Sequence, residues 1–270
     1  MENKVITKLK ELTSHNYIKL TSRGNTAIFA ALYCVRKLNP KRKTILVPDQ
    51  GGWFTYLKYP KMLQLKTEKL KTDYGVINLK DLKQKSKEAL AIIYSEPAGY
   101  FANQDVKEIY NICKKNNCLV ILDITADLGN TKNNADIMLA SFGRWKPVNL
   151  KYGGFLSTNK KENFELPKEI FNTTTFDEKH LPQLLKNLNN LEKRYELFDK
   201  LNKKVKQDLK DLNILHKNHK GLNIVVKHKN KEEKEKIINY CKKHNLEFTE
   251  CPRYIRVEEQ AISIEIKRKE

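Results

Sequence analysis

Short apolar runs of strand length recur through the first 160 residues, and helix-spaced stretches separate most of them. Strands are predicted at 17–20, 44–47, 62–65, 89–94, 118–122, 135–140 and 154–158. Helices are predicted at 25–38, 78–86 and 105–116, with another opening at 53–59. Within 25–38, Ala27, Ile28, Ala30, Ala31, Leu32 and Val35 fall on one helical face, and the run ends before Asn39-Pro40. Strands and helices alternating at this pace predict an α/β fold: a mostly parallel sheet with helices on both faces. Ligands of such sheets collect at the carboxyl ends of the strands. Gly24, Gly51, Asp123 and Ser141 each stand shortly after a strand-like run.

The pattern changes after residue 178. A long polar helix is predicted from about 182 to 212, with Leu184, Leu185, Leu188, Leu191, Tyr195, Phe198 and Leu201 at three- and four-residue steps. Strands at 221–226, 246–249, 254–257 and 261–266 then surround a helix at 232–244. The expected organisation is a large α/β cofactor-binding domain over 1–178, then a connecting helix and small α+β domain over 179–270.

Composition narrows the class. Charged residues are 31% of the chain and hydrophobic ones 40%, as in a soluble globular protein. No apolar run approaches the ~20 residues that cross a bilayer, so no membrane association is expected. Residues 1–12 mix charges and lack an apolar signal core. Five scattered cysteines without a Cys-x-x-Cys pair fit a reduced, cytoplasmic protein with neither zinc nor a disulfide framework. His216, His219 and His228 have no ligand partner at metal spacing, and no metal is expected. The net charge of +20 comes from 52 basic and 32 acidic residues. An acidic partner such as nucleic acid is one reading. The basic residues, however, are 44 lysines spread end to end and only eight arginines, the residue suited to bidentate phosphate and base recognition. A solvated lysine surface is the preferred reading.

Five landmarks then occur in order. Ser22-Arg-Gly24-Asn25-Thr26 joins a strand to a helix; glycine permits the tight turn, and a helix start offers free N–H groups to a phosphate. Pro48-Asp-Gln-Gly51-Gly52-Trp53 sets an aromatic beside two glycines, which allow a ligand close to the backbone. Asp123 ends the run Cys118-Leu-Val-Ile-Leu. Ser141 and Lys146 lie in Ser141-Phe-Gly-Arg-Trp-Lys146, followed by Gly153-Gly154 and another strand. A lysine able to form an imine and an aspartate able to hold a pyridinium proton are what pyridoxal phosphate requires of a protein.

In this series the chain, from about Leu20 to Thr158, resembles the fold-type I pyridoxal-phosphate (PLP) enzymes, and among them the DegT-like sugar aminotransferases. The resemblance implies that Gly24, Asn25, Thr26 and Ser141 hold the cofactor phosphate. It also implies that Trp53 stacks on the ring, Asp123 binds the ring nitrogen, and Lys146 carries the cofactor and later moves the α-proton. Lys151 competes with Lys146, whose spacing is the better match. The family pattern Asp-x-Ala-(His/Gln)-x-Leu-Gly reads Asp123-Ile-Thr-Ala126-Asp-Leu-Gly129 here, so Ala126 replaces the polar residue that faces the ring. Many fold-type I enzymes carry a substrate-carboxylate arginine near the C-terminus, which points to Arg253 and Arg256. Arg144 is a further candidate, for phosphate or for a partner subunit. The implied activity is an aminotransferase moving an amino group from an amino-acid donor to a carbonyl acceptor, built as a homodimer. Two other readings remain: a related enzyme with a tRNA-borne or other polyanionic substrate, which would employ the +20 charge, and a non-catalytic protein retaining the fold, for which Ala126 is the sign.

Overall fold

The structure, a computed structural model, describes residues 1–269. Its strands are β1 (Tyr17–Thr21), β2 (Thr44–Pro48), β3 (Lys66–Leu70), β4 (Thr72–Asp73), β5 (Val76–Ile77), β6 (Ala91–Ser95), β7 (Leu119–Asp123), β8 (Ile137–Ser141), β9 (Gly154–Thr158), β10 (Asn213–Ile214), β11 (Ile224–Lys227), β12 (Phe248–Cys251) and β13 (Ala261–Ile264). The helices are α1 (Glu2–Thr13), α2 (Gly24–Leu38), α3 (Phe54–Met62), α4 (Leu79–Lys85), α5 (Val106–Lys115), α6 (Lys161–Glu165), α7 (Lys168–Thr173), α8 (Leu181–Asn189), α9 (Leu191–Asp208) and α10 (Lys231–Lys243).

Seven strands form the main sheet in the order β1-β9-β8-β7-β6-β2-β3. The pairs from β8 to β3 are parallel, whereas β9 runs antiparallel to both β8 and β1. Strand side chains alternate between faces, and each face has its own core. Leu46, Ile92, Tyr94, Val120, Leu122 and Met138 pack with α1, α5 and α8, through Val5, Leu9, Ile109, Leu184 and Leu188. Their neighbours Ile45, Val47, Ala91, Ile93, Ile121 and Leu139 pack under α2, through Ala27, Ile28, Ala31 and Val35. Burial on both faces explains why the central strands read as continuous apolar runs, each large side chain contributing about 1.5–3 kcal/mol.

The smaller sheet, β10-β11-β13-β12, is antiparallel. It closes against α9 and α10 through Phe198, Val205, Ile224, Val226, Ile237, Cys241, Ile262 and Ile264, and Ala126 of the large sheet's loop joins this core. Helix starts follow side-chain chemistry: Asn78, Asp105 and Asn230 each accept a first-turn N–H of α4, α5 and α10.

Several predicted elements differ. The strand expected at 62–65 lies instead at Lys66–Leu70, an edge strand whose first four side chains are exposed and polar, so apolar content does not mark it. The helix expected from 182 to 212 is two, α8 and α9, which break at Asn190; α8 packs on the large-sheet core, whereas Phe198 and Val205 of α9 face the small one. Residues 254–257 form a turn after the cis Cys251-Pro252 bond rather than a strand. Helix α1, whose moderate amphipathic pattern is diluted by lysines, was not anticipated.

Candidate active site

The carboxyl ends of β6, β7 and β8, the start of α2 and the turn before α3 line one cleft. Gly24, Asn25, Gly51, Gly52, Trp53, Tyr56, Glu96, Tyr100, Asp123, Thr125, Ala126, Ser141 and Lys146 all line it.

Asp123 ends β7 and is 8% exposed. The Tyr56 hydroxyl donates to its Oδ2 at 2.6 Å, and the Thr125 backbone N–H donates to its Oδ1 at 2.9 Å. Both oxygens are therefore fixed in direction while each keeps a lone pair free. Complete burial, and the negative charge of Asp123 beside it, push the Tyr56 phenol well above its ordinary range. Tyr56 thus stays a donor throughout the accessible pH range.

Lys146 lies in the loop between β8 and β9. Its ammonium donates to the Tyr100 hydroxyl, and its Nζ lies 4.6 Å from the centroid of the Tyr100 ring and 5.4 Å from that of Trp53. The Trp53 indole N–H donates to Asn25 Oδ1 at 3.0 Å, which ties the aromatic to the start of α2.

That helix start sits against Ser141. A Cβ added at Gly24 would come within 2.5 Å of Ser141 Cβ, so only glycine permits this approach. Ser141 Oγ accepts from the Gly143 N–H at 3.2 Å. The result is a cradle of helix N–H groups and one hydroxyl, the arrangement that suits a phosphate. Gly51 has a φ of +84° and is gripped from both sides, its N–H donating to Tyr254 O at 2.7 Å and its carbonyl accepting from the Gly99 N–H at 2.7 Å. The turn before Trp53 is thereby held to the small domain.

Six of the residues singled out from sequence, Gly24, Asn25, Trp53, Asp123, Ser141 and Lys146, meet in the cleft. Thr26 lies one step further into α2, where its N–H donates to Arg23 O and it does not line the cleft. Arg256 is buried and its guanidinium is engaged: Nε and Nη2 each donate to a Glu265 carboxylate oxygen at 3.0 Å. Arg253 is exposed in the turn that follows cis-Pro252. Of this segment, Ile255 is the residue that reaches the cleft. Arg144 is exposed, with its guanidinium over the Trp145 ring, and the competing Lys151 is likewise exposed and outside the cleft.

Tyr56, Thr125, Glu96 and Tyr100 are among the cleft residues that sequence reasoning does not reach. Tyr56 carried a readable signal, lying in the first turn of α3, three residues after Trp53, which caps that helix and whose carbonyl accepts the Tyr56 N–H. Thr125 reads as an ordinary loop residue. Glu96, 5% exposed, accepts from Asn103 Nδ2 at 2.9 Å and from the Gln104 N–H at 2.8 Å; burial pushes its carboxyl up to about 8. Tyr100 takes a left-handed φ of 70°, which no local pattern announces.

The chain has the fold of the fold-type I PLP-dependent transferases. PseC of Helicobacter pylori, an aminotransferase involved in the biosynthesis of pseudoaminic acid, superposes with a TM-score of 0.80 over 97% of this chain and 85% of its own, at 15% identity. A DegT DnrJ EryC1 StrS aminotransferase from Brucella abortus gives 0.75 over 98% and 84%, at 13% identity. A serine palmitoyltransferase from S. paucimobilis, with a PLP–myriocin aldimine bound, gives 0.71 over 100% and 72%, at 15% identity. By sequence, residues 189–270 match the MJ1341 family C-terminal domain. Among curated proteins, none matches this sequence. No helix among the described residues is long and apolar enough to cross a membrane.

Proposed function

We propose that this protein is a PLP-dependent aminotransferase. The observation that carries the reading is the meeting of Lys146 and Asp123 in one cleft, with the indole of Trp53 beside the amine and a glycine-tight helix start lining the same cleft. The donor set fits the cofactor. A buried carboxylate with fixed oxygens suits a protonated ring nitrogen, a primary amine suits an aldehyde, and helix N–H groups with Ser141 suit a phosphate.

When bound, PLP would supply an aldehyde that accepts an amino group and a ring that withdraws electrons from the bond being broken. Asp123 would hold the ring-nitrogen proton, with Tyr56 and Thr125 keeping the carboxylate in line. Gly24, Asn25 and Ser141 would bind the phosphate, and Trp53 would cover one face of the ring. Lys146 would secure the aldehyde and, once released by an incoming amino group, carry the proton to and from the donor's α-carbon. Ala126 presents only a methyl group where related enzymes carry a polar side chain, so discrimination at that face would rest on shape.

The likeness to aminotransferases also supports a homodimer, tested by light scattering, and five buried free cysteines suit a reducing cytoplasm. The reading is tested by loading the protein with PLP and titrating amino acids one at a time. A donor that bleaches the cofactor band, with recovery on adding a 2-oxo acid, is the expected result. Loss of no band with any amino acid or amino sugar contradicts the assignment.

A further inference from the structure

One side of the cleft is built unlike the rest. Tyr100 is fixed at its backbone by both domains: its N–H donates to Pro97 O at 3.2 Å, and its carbonyl accepts from the N–H groups of Leu222 and Asn223 at 2.7 and 3.0 Å. Gly221 packs so closely that a Cβ there would come within 2.7 Å of that carbonyl. The residue is held at a φ of 70°, a conformation that a bulky side chain adopts only where its surroundings enforce it.

Three cations surround its ring. Lys146 Nζ lies 4.6 Å from the centroid, Lys267 Nζ 4.8 Å and Arg256 Cζ 5.1 Å. Lys267 and Arg256 are both 4% exposed and share a single carboxylate, Glu265, itself 1% exposed. Asn223 completes the group, accepting from Lys267 Nζ at 2.7 Å and donating to Glu265 Oε1 at 3.2 Å. Burying two cations with one carboxylate is costly, and apolar side chains of similar volume would cost less. The cluster meets the cleft at the Tyr100 ring, whose face attracts cations and whose hydroxyl meets Lys146. It also touches cleft-lining Ile255, through Arg256 Nη1, and Arg268, 3.8 Å from Glu265, lies over the Trp145 ring.

We propose that Tyr100 is a positioning residue for Lys146, held rigid by the buried Arg256–Glu265–Lys267 cluster of the small domain, so that the amine points at the cofactor aldehyde. The inference rests on the proposed function and gives Arg256 a task other than clamping a substrate carboxylate. The small domain then serves the chemistry through a charge cluster on the far side of a tyrosine ring, and its docking sets the direction of the amine.

Two readouts on cofactor-free protein test this. The first is the rate at which added PLP becomes fixed to Lys146 on borohydride quenching. The second is trace acetylation by acetic anhydride, read as the Lys146-to-Lys231 labelling ratio by peptide mass spectrometry; Lys231 is 89% exposed and serves as the internal standard. In Tyr100→Phe the ring and its contacts with Lys267 and Arg256 persist, and the hydroxyl that meets Lys146 is lost. PLP fixation is expected to fall about tenfold, because orientation matters to a bound reactant. Acetylation of Lys146 is expected to rise at least threefold, because a small reagent meets a freer amine. Lys267→Met should move both readouts in the same senses by about threefold. A simple collapse of the cleft would lower both readouts together and overturn the proposal, as would an unchanged acetylation ratio. If the unaltered protein fixes no PLP, the aminotransferase reading fails, while the acetylation ratio still decides whether Tyr100 directs Lys146.

Discussion

Replacing Glu96 with glutamine should make the protein less stable in mild acid and more stable in mild base. Glu96 is 5% exposed at the end of β6, and burial raises its carboxyl from 4.5 to about 8. A carboxyl raised by folding binds more protons in the folded state than in the unfolded one between those two values. Stability therefore falls as pH climbs through the window, by up to about 1.4 kcal/mol per pH unit. If nothing rearranges, the loss reaches about 3 kcal/mol at pH 7 and about 5 kcal/mol above pH 8; partial hydration of the carboxylate would roughly halve both figures. Glutamine has no such dependence, but it offers one acceptor oxygen where Glu96 offers two, to Asn103 Nδ2 and the Gln104 N–H. One of these bonds is lost at every pH, at a cost of about 1 kcal/mol. Urea unfolding of the two proteins at half-unit steps from pH 5 to 9 should give curves that cross between about pH 5 and 6.5, with the variant ahead by about 1.5–4 kcal/mol at pH 8.5. Parallel curves would show that Glu96 does not hold its proton in the folded protein and would refute the burial argument.

Three further outcomes follow from the geometry. Tyr56→Phe removes the 2.6 Å bond to Asp123 from a fully buried site; it should lower stability by about 1.5–3 kcal/mol and weaken PLP binding several-fold, measured by urea unfolding and absorbance titration. Gly24→Ala forces a methyl group into Ser141 and should reduce affinity for PLP, and for inorganic phosphate as its competitor, more than tenfold, with equilibrium dialysis as the check. Arg256→Ala leaves Glu265 with Lys267 as its main cation partner and should destabilise the protein by about 3–5 kcal/mol by urea unfolding; a loss below 1 kcal/mol would show the ion group to be incidental.

Strands buried on both faces announce themselves as apolar runs, which is why β2, β6, β7, β8 and β9 were legible within two or three residues. Edge strand β3 was not, because four of its five side chains meet solvent and its composition is that of a loop. The cleft followed the same division. Asp123, Ser141 and Gly24 stand at strand ends, where topology alone gathers ligand-binding groups, so their order along the chain sufficed to link them. Tyr100 and the Arg256–Glu265–Lys267 group are more than 150 positions apart in sequence and meet only when the small domain docks. Arg256 illustrates the limit: its residue type suits a carboxylate, but the carboxylate it meets is internal, and nothing near it in the sequence identifies Glu265 as the partner.

The central claim is that Lys146 is the attachment point for PLP. Incubation with PLP, borohydride reduction, proteolysis and peptide mass spectrometry decide it directly, against a background of 44 lysines. The account predicts one stoichiometric pyridoxyl group, on Lys146, and its loss in Lys146→Ala. Label scattered over surface lysines, or concentrated on Lys151, would contradict it.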